Sequence, residues 1–167
     1  MQPTAPRAVF VRRVREEDAQ TMRGFLLGLS VASRRNRFHG GVSGASPKLV
    51  SYLVKADGVQ HAAWVACVWG PDGEEIVGEA GWSVVDREQG VAELALSVLD
   101  AWQGSGVANR LMTTLMAGAR AAGLRHLYGD VLDVNARMLA FMRRHGLEPG
   151  FDDPPDRGVE RVGCALR

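Results

Sequence analysis

Cysteine is scarce, long apolar runs are missing, and neither sign of charge dominates. The two cysteines, Cys67 and Cys164, lie far apart inside apolar stretches. That excludes a disulfide framework and predicts buried free thiols in a reducing cytoplasm. His39, His61, His126 and His145 have no metal-ligand spacing to one another or to the cysteines, so no metal is expected. No stretch approaches ~18 apolar residues, and residues 1–7 contain no apolar h-region, so neither a membrane span nor a secretion signal is expected. With 20 basic and 19 acidic residues the net charge is +1. The chain therefore lacks the one-signed field that nucleic acid or an anionic membrane requires. The basic runs at 12–13, 34–37 and 143–144 read as solvated surface, and no internal repeat is visible. What is present is 167 residues at 46% hydrophobic content, enough for one core and one domain over residues 1–167.

Apolar periodicity places the elements. Residues 9–14 read as a strand. Glu16, Glu17 and Asp18 then complement the dipole of a helix running to about Leu29. Residues 30–46 are polar and read as a loop with one helical turn, after which Pro47 opens a short helix carrying Leu49, Val50, Leu53 and Val54. Strands are predicted at 62–69, 76–85 and 91–99, the first two joined by the hairpin turn Gly70-Pro71-Asp72-Gly73. In the third, Ala92, Leu94, Leu96 and Val98 share one face, and Glu93, Ala95, Ser97 and Leu99 share the other. A helix over 107–122 has an apolar stripe of Val107, Ala108, Leu111, Met112, Leu115, Met116 and Ala119, and Gly123 stops it. A strand at 126–132, a helix from the N-cap Asn135 to about His145, a proline-bearing linker at 150–158 and a strand at 160–166 complete the chain. The order suits an α+β domain around one mixed sheet.

The most informative segment is Gln103-Gly104-Ser105-Gly106-Val107-Ala108, between an alternating strand and an amphipathic helix. Two glycines let the backbone approach a ligand, and the helix start offers free N–H groups and the positive dipole end, a setting for phosphate or pyrophosphate. Gly104-x-Gly106-x-x-Asn109, with Asp130 placed for a ribose contact, gives a rival dinucleotide reading, but the third glycine is missing. A plain structural turn is the third reading.

The order Gln-x-x-Gly-x-Ala resembles the acyl-CoA pyrophosphate loop of the GNAT N-acetyltransferases. Asn135, the apolar helix after it and Gly146-Leu147 match a second GNAT segment. Ser30-x-x-Ser33-Arg34-x-x-Arg37-Phe38-x-Gly40, Glu75-Ile76-Val77-Gly78 and Asp100-Ala101-Trp102-Gln103-Gly104 are similar to the branch that includes bacterial protein-lysine acetyltransferases. The likeness spans residues 9–147. It implies the GNAT fold, a mixed and mostly antiparallel sheet flanked by helices.

The resemblance further implies that acetyl-CoA is held by Val98, Gln103, Gly104, Ser105, Gly106, Val107, Ala108, Asn109 and Asn135. The implied reaction moves an acetyl group to a primary amine, with protein lysine among the acceptors, by direct attack in a ternary complex. The working unit would be a monomer or homodimer. Amine attack needs a neutral amine, and lysine of pKa ~10.4 is almost wholly charged at pH 7, so a base is useful. Glu93 is the candidate: it is the only acid in its strand, and Ala92-Glu93-Leu94 matches the Ala-Glu-apolar pattern of several protein-acetylating members. Glu79 is the reserve. The tyrosine common seven residues after the motif's Asn is replaced by Met142, which cannot donate a proton to the departing thiolate. A small-molecule amine acetyltransferase and a non-catalytic acyl-CoA sensor stand as alternatives.

Overall fold

The computed structural model describes residues 7–40, 44–151 and 156–167, so the N-terminal segment, the centre of the 30–46 loop and part of the 150–158 linker lie outside the described residues. The chain orders its elements as β1 (Phe10–Arg13), α1 (Ala19–Gly28), α2 (Val31–Phe38), α3 (Pro47–Val54), β2 (His61–Gly70), β3 (Gly73–Asp86), β4 (Val91–Val98), α4 (Val107–Ala121), β5 (His126–Leu132), α5 (Ala136–Arg144), β6 (Glu148–Pro149) and β7 (Val159–Ala165). Short 3-10 turns stand at Glu16–Asp18 and Asp100–Trp102.

The strands form one sheet in the order β1-β2-β3-β4-β5-β7-β6. Neighbours are antiparallel except β4 and β5, which run parallel through the α4 crossover. Each face carries its own core, as alternation along strands dictates. On one face Trp64, Trp82, Leu94 and Leu96 pack with Leu111, Met112 and Leu115 of α4 and with Leu139, Phe141 and Met142 of α5. On the other, Val65, Cys67 and Ile76 pack with Met22, Phe25 and Leu26 of α1 and with Val50, Leu53 and Val54 of α3. Gly118 in α4 permits a close approach, because a Cβ there would lie 2.4 Å from Trp64 Cζ2. The β1 end is tied down by Arg12, which donates to both oxygens of buried Asp18 at 2.8 Å and to Glu74 at 2.6 Å.

Three elements differ from expectation, the first being the two-residue strand β6, too short to leave a periodic signal. The acidic run at 16–18 forms its own 3-10 turn before α1. Residues 31–38, read as part of a loop, form a full helix capped by Ser30, whose hydroxyl accepts from Ser33 N–H at 3.1 Å. Val31–Phe38 has no apolar stripe and no buried residue, so the periodicity that reveals other helices is missing here. Cys67 is buried, as predicted, and burial pushes its thiol up to about 11, while Cys164 is only partly buried.

Candidate functional site

The parallel pairing of β4 with β5 holds only from Val91↔His126 to Glu93↔Tyr128, although both strands continue. Beyond Glu93 they part. Leu99 N–H donates to the Val77 carbonyl at 2.9 Å, and Gly78 faces Val98 in register. The odd residues of β4 therefore bond to β3, and the N–H and C=O of Leu96 and Val98 point into the opening. Main-chain groups left unpaired in this way are available to a ligand. The Val98 carbonyl accepts from Gln103 Nε2 at 3.1 Å.

A cavity of about 400 Å³ occupies this opening. Val98, Gln103, Gly104, Gly106, Ala108, Asn109 and Asn135 line it, so seven of the nine residues implied for the cosubstrate come together. The remaining two turn elsewhere. Val107 is buried in the core, and the Ser105 hydroxyl donates back to the Trp102 carbonyl. Val107 can offer only main-chain groups, and the Ser105 hydroxyl proton is already engaged.

The glycines earn their places in the loop by backbone shape. Gly104 (φ 75°) and Gly106 (φ 90°) lie in the left-handed region, and Gly106 is the N-cap of α4. The first-turn amides of α4 thus face the cavity without a capping side chain, the arrangement that suits a phosphate. Asn109 Oδ1 lies 2.9 Å from His145 Nε2, and Asn135 Oδ1 accepts from Met138 N–H at 3.2 Å as the N-cap of α5. The dinucleotide reading loses its ribose contact, because Arg161 holds both oxygens of Asp130 at 2.7 and 2.8 Å.

Glu93 lies in a second cavity of about 170 Å³. Register explains its shape. On one sheet face His61, Ser83 and Glu93 form a polar row, Ala63, Gly81 and Ala95 form a row of small residues, and Glu79 and Ser97 lie beyond it. The small row leaves the space, and the rows on either side supply its polar groups. Tyr52 of α3 roofs it, stacked on the His61 ring at 4.6 Å and hydrogen-bonded to Ser83 Oγ at 2.7 Å. Desolvation against the sheet raises the Glu93 carboxyl above its ordinary range, and the negative charge of Asp130 adds to this. Burial lowers His61, favouring the neutral ring. Glu79 is 3% exposed and held by Arg37 Nε at 2.7 Å and Ser97 Oγ at 2.8 Å.

Sequence reasoning missed Ser33, Asn36 and Arg37 of α2 and Arg137, Met138, Phe141 and Arg144 of α5, all lining the larger cavity. The serine–arginine pattern at 30–40 was the available signal for the first group. Met142 is a correction of place. It does not line the cavity, being 3% exposed with its Cε 3.4 Å from the position a Cβ on Gly129 would take. Met138 and Phe141 occupy the cavity wall instead.

The sequence matches the Acetyltransferase (GNAT) family over residues 42–147. The chain belongs to that family. It is 40% identical over 124 residues to an acetyltransferase of Pseudomonas aeruginosa, a match covering 73% of this chain and 65% of that relative's length. The chain thus spans somewhat less than two thirds of that relative. In structure it is similar to the GNAT domain of S. lividans PAT, with TM-score 0.84 and 25% identity over 99% of this chain and 100% of that one. The PaiA N-acetyltransferase of Thermoplasma acidophilum, solved in complex with coenzyme A, shares the fold at TM-score 0.73 and 13% identity, covering 95% of this chain and 99% of that one. The GNAT fold expected from the sequence is the fold observed. Among the described residues no group of three or more side chains is placed to hold a metal ion, and no helix is long and apolar enough to cross a membrane.

Proposed function

We propose that this GNAT acetyltransferase transfers the acetyl group of acetyl-CoA to a primary amine, with Glu93 as general base. The observation that carries the reading is the placement of two cavities along one strand: residues 96–98 of β4 border the glycine-loop cavity, and residues 93–95 border the one holding Glu93. Acetyl-CoA takes the first. The main-chain N–H groups of the Gly104–Asn109 stretch receive its pyrophosphate, the free N–H of Val98 and the side chain of Asn135 receive the pantetheine arm, and the thioester carbonyl points toward β4. The amine enters the second. Glu93 removes a proton from the ammonium, and the neutral amine attacks the thioester carbon directly. A carboxyl raised by desolvation suits a base that must accept a proton near neutral pH.

The acceptor is a protein lysine or a small amine reaching β4 past Tyr52. Residues 1–167 act as one catalytic unit in the cytoplasm. A second reading, an acyl-CoA sensor without turnover, draws on the buried Met142, which leaves the position of the usual acid without a proton. The test is a thiol-release assay with acetyl-CoA against panels of lysine-bearing proteins and small amines. Release that depends on both the amine and Glu93 is the expected result. Tight acetyl-CoA binding with no release for any amine would establish the sensor instead.

A further inference from the structure

Among the described residues Arg37 alone lines both cavities. If the thioester arrives through one cavity and the amine through the other, as proposed above, the bonds that form and break lie where the cavities meet. The guanidinium is fixed there. Its Nε donates to Glu79 Oε1 at 2.7 Å, its Nη2 lies 3.5 Å from Oε2, and it stacks over the Phe38 ring at 4.7 Å. Glu79 is in turn held by Ser97 Oγ. The pair is largely buried, with side-chain exposures of 15% and 3%. Glu79 grips one edge of the fork, and the Nη1 donors remain for a ligand.

We propose that Arg37 is a catalytic residue that stabilises the thiolate of CoA as it departs, in place of the missing proton donor. This rests on the acetyltransferase reading. The amine lone pair forms the C–N bond, and the C–S bond breaks with its electron pair leaving on sulfur. One proton of the ammonium goes to Glu93, and the remaining surplus proton reaches the thiolate afterwards through water, giving amide and CoA thiol. No further reactant is required. A cation positioned before the reaction begins acts on charge only as it develops, without reorganisation. Glu79 weakens the field of Arg37 at long range but orients its free edge, so the effect falls on an atom in direct contact.

The experiment titrates the thiol of bound CoA by its thiolate ultraviolet absorbance, alongside calorimetric measurement of CoA affinity. It uses the wild type, Arg37→Lys and the double variant Arg37→Gln/Glu79→Gln. The double variant replaces a buried ion pair by a neutral pair, so no buried charge is left unpartnered. In the wild type the bound thiol should ionise at least tenfold more readily than free CoA. Arg37→Lys should keep part of this, and the double variant should lose it while still binding CoA. Turnover of the double variant should fall by ~10²–10³-fold, the range for losing one preorganised donor. A bound thiol that ionises as free CoA does in the wild type, or equally readily in the double variant, would overturn the assignment. A wild type that fails to bind CoA at all would instead overturn the underlying acetyltransferase reading.

Discussion

Arg37 and Glu79 meet at 2.7 Å beneath helix α2, and the contact takes Glu79 out of competition as a free base. A carboxylate held by a guanidinium and a hydroxyl has its lone pairs engaged and its charge balanced. Glu93, on the same sheet face one strand over, has no such partner at hydrogen-bond distance among the described residues. Glu93→Gln should therefore lower turnover by ~10²–10⁴-fold while leaving acetyl-CoA affinity nearly intact. The wild-type acid limb should lie above the ordinary glutamate value near 4.5, because the carboxyl is raised, and it should vanish in the variant. A pH–rate profile with the limb unchanged in Glu93→Gln would place the base elsewhere.

Gly106 is constrained twice. Nothing lies within 4 Å of a Cβ built there, so a side chain would project into the cavity without clashing with protein atoms. Its φ of 90°, however, strains any residue with a Cβ, at a cost of ~1–2 kcal/mol. Gly106→Leu should weaken acetyl-CoA binding sharply and lower thermal stability modestly. Calorimetric titration beside a melting curve separates the two, and unchanged affinity would remove the loop from the binding site.

Met142 packs in the core. Met142→Leu preserves most of its volume and should cost under ~1.5 kcal/mol. The alkaline limb of the pH–rate profile should stay in place, since no titrating group is removed. A displaced limb would show that this position governs a proton.

Asp18 provides a stability test remote from the chemistry. Burial raises its carboxyl, but the hydrogen bonds from Arg12 and from the Arg15 N–H outweigh this, and the net shift is downward. A lowered folded-state pKa gives stability that is present above the ordinary value near 3.8 and lost as pH falls below it. Asp18→Asn removes one of the two carboxylates that hold Arg12 and should destabilise the fold at neutral pH by ~1–3 kcal/mol. Denaturation curves of variant and wild type should converge on acidification below that value. Parallel curves down to the lowest pH would mean that the pair contributes nothing.

Most elements were legible because their burial is periodic. Alternation in Ala92, Leu94, Leu96 and Val98, and the stripe through Leu111, Leu115 and Ala119, report the faces that these residues bury. The pyrophosphate loop was legible for a different reason, since two left-handed backbone positions call for glycine at Gly104 and Gly106. Helix α2 escaped because it fully buries no residue and is held largely by side-chain polar contacts: Ser33 to Asp100 and Gln103, and Arg37 to Glu79. Such ties join residues some 40 to 70 positions apart and leave no local pattern. The row Ala63, Gly81 and Ala95 escaped for a related reason: three small residues make a cavity floor only once three strands are in register. The inward turn of Met142 depends likewise on the glycine across from it on β5.

That α2 buries no residue bears on how such an enzyme diversifies. Its exposed positions Val31, Ala32, Arg35 and Asn36 contribute little to the folded core, so substitutions there should be nearly neutral for stability. Ser33 and Asn36 nevertheless face the cavity. A lineage can thus reshape the wall of the acyl-CoA cavity from this helix by ordinary point mutation, without first acquiring a compensating change in the sheet.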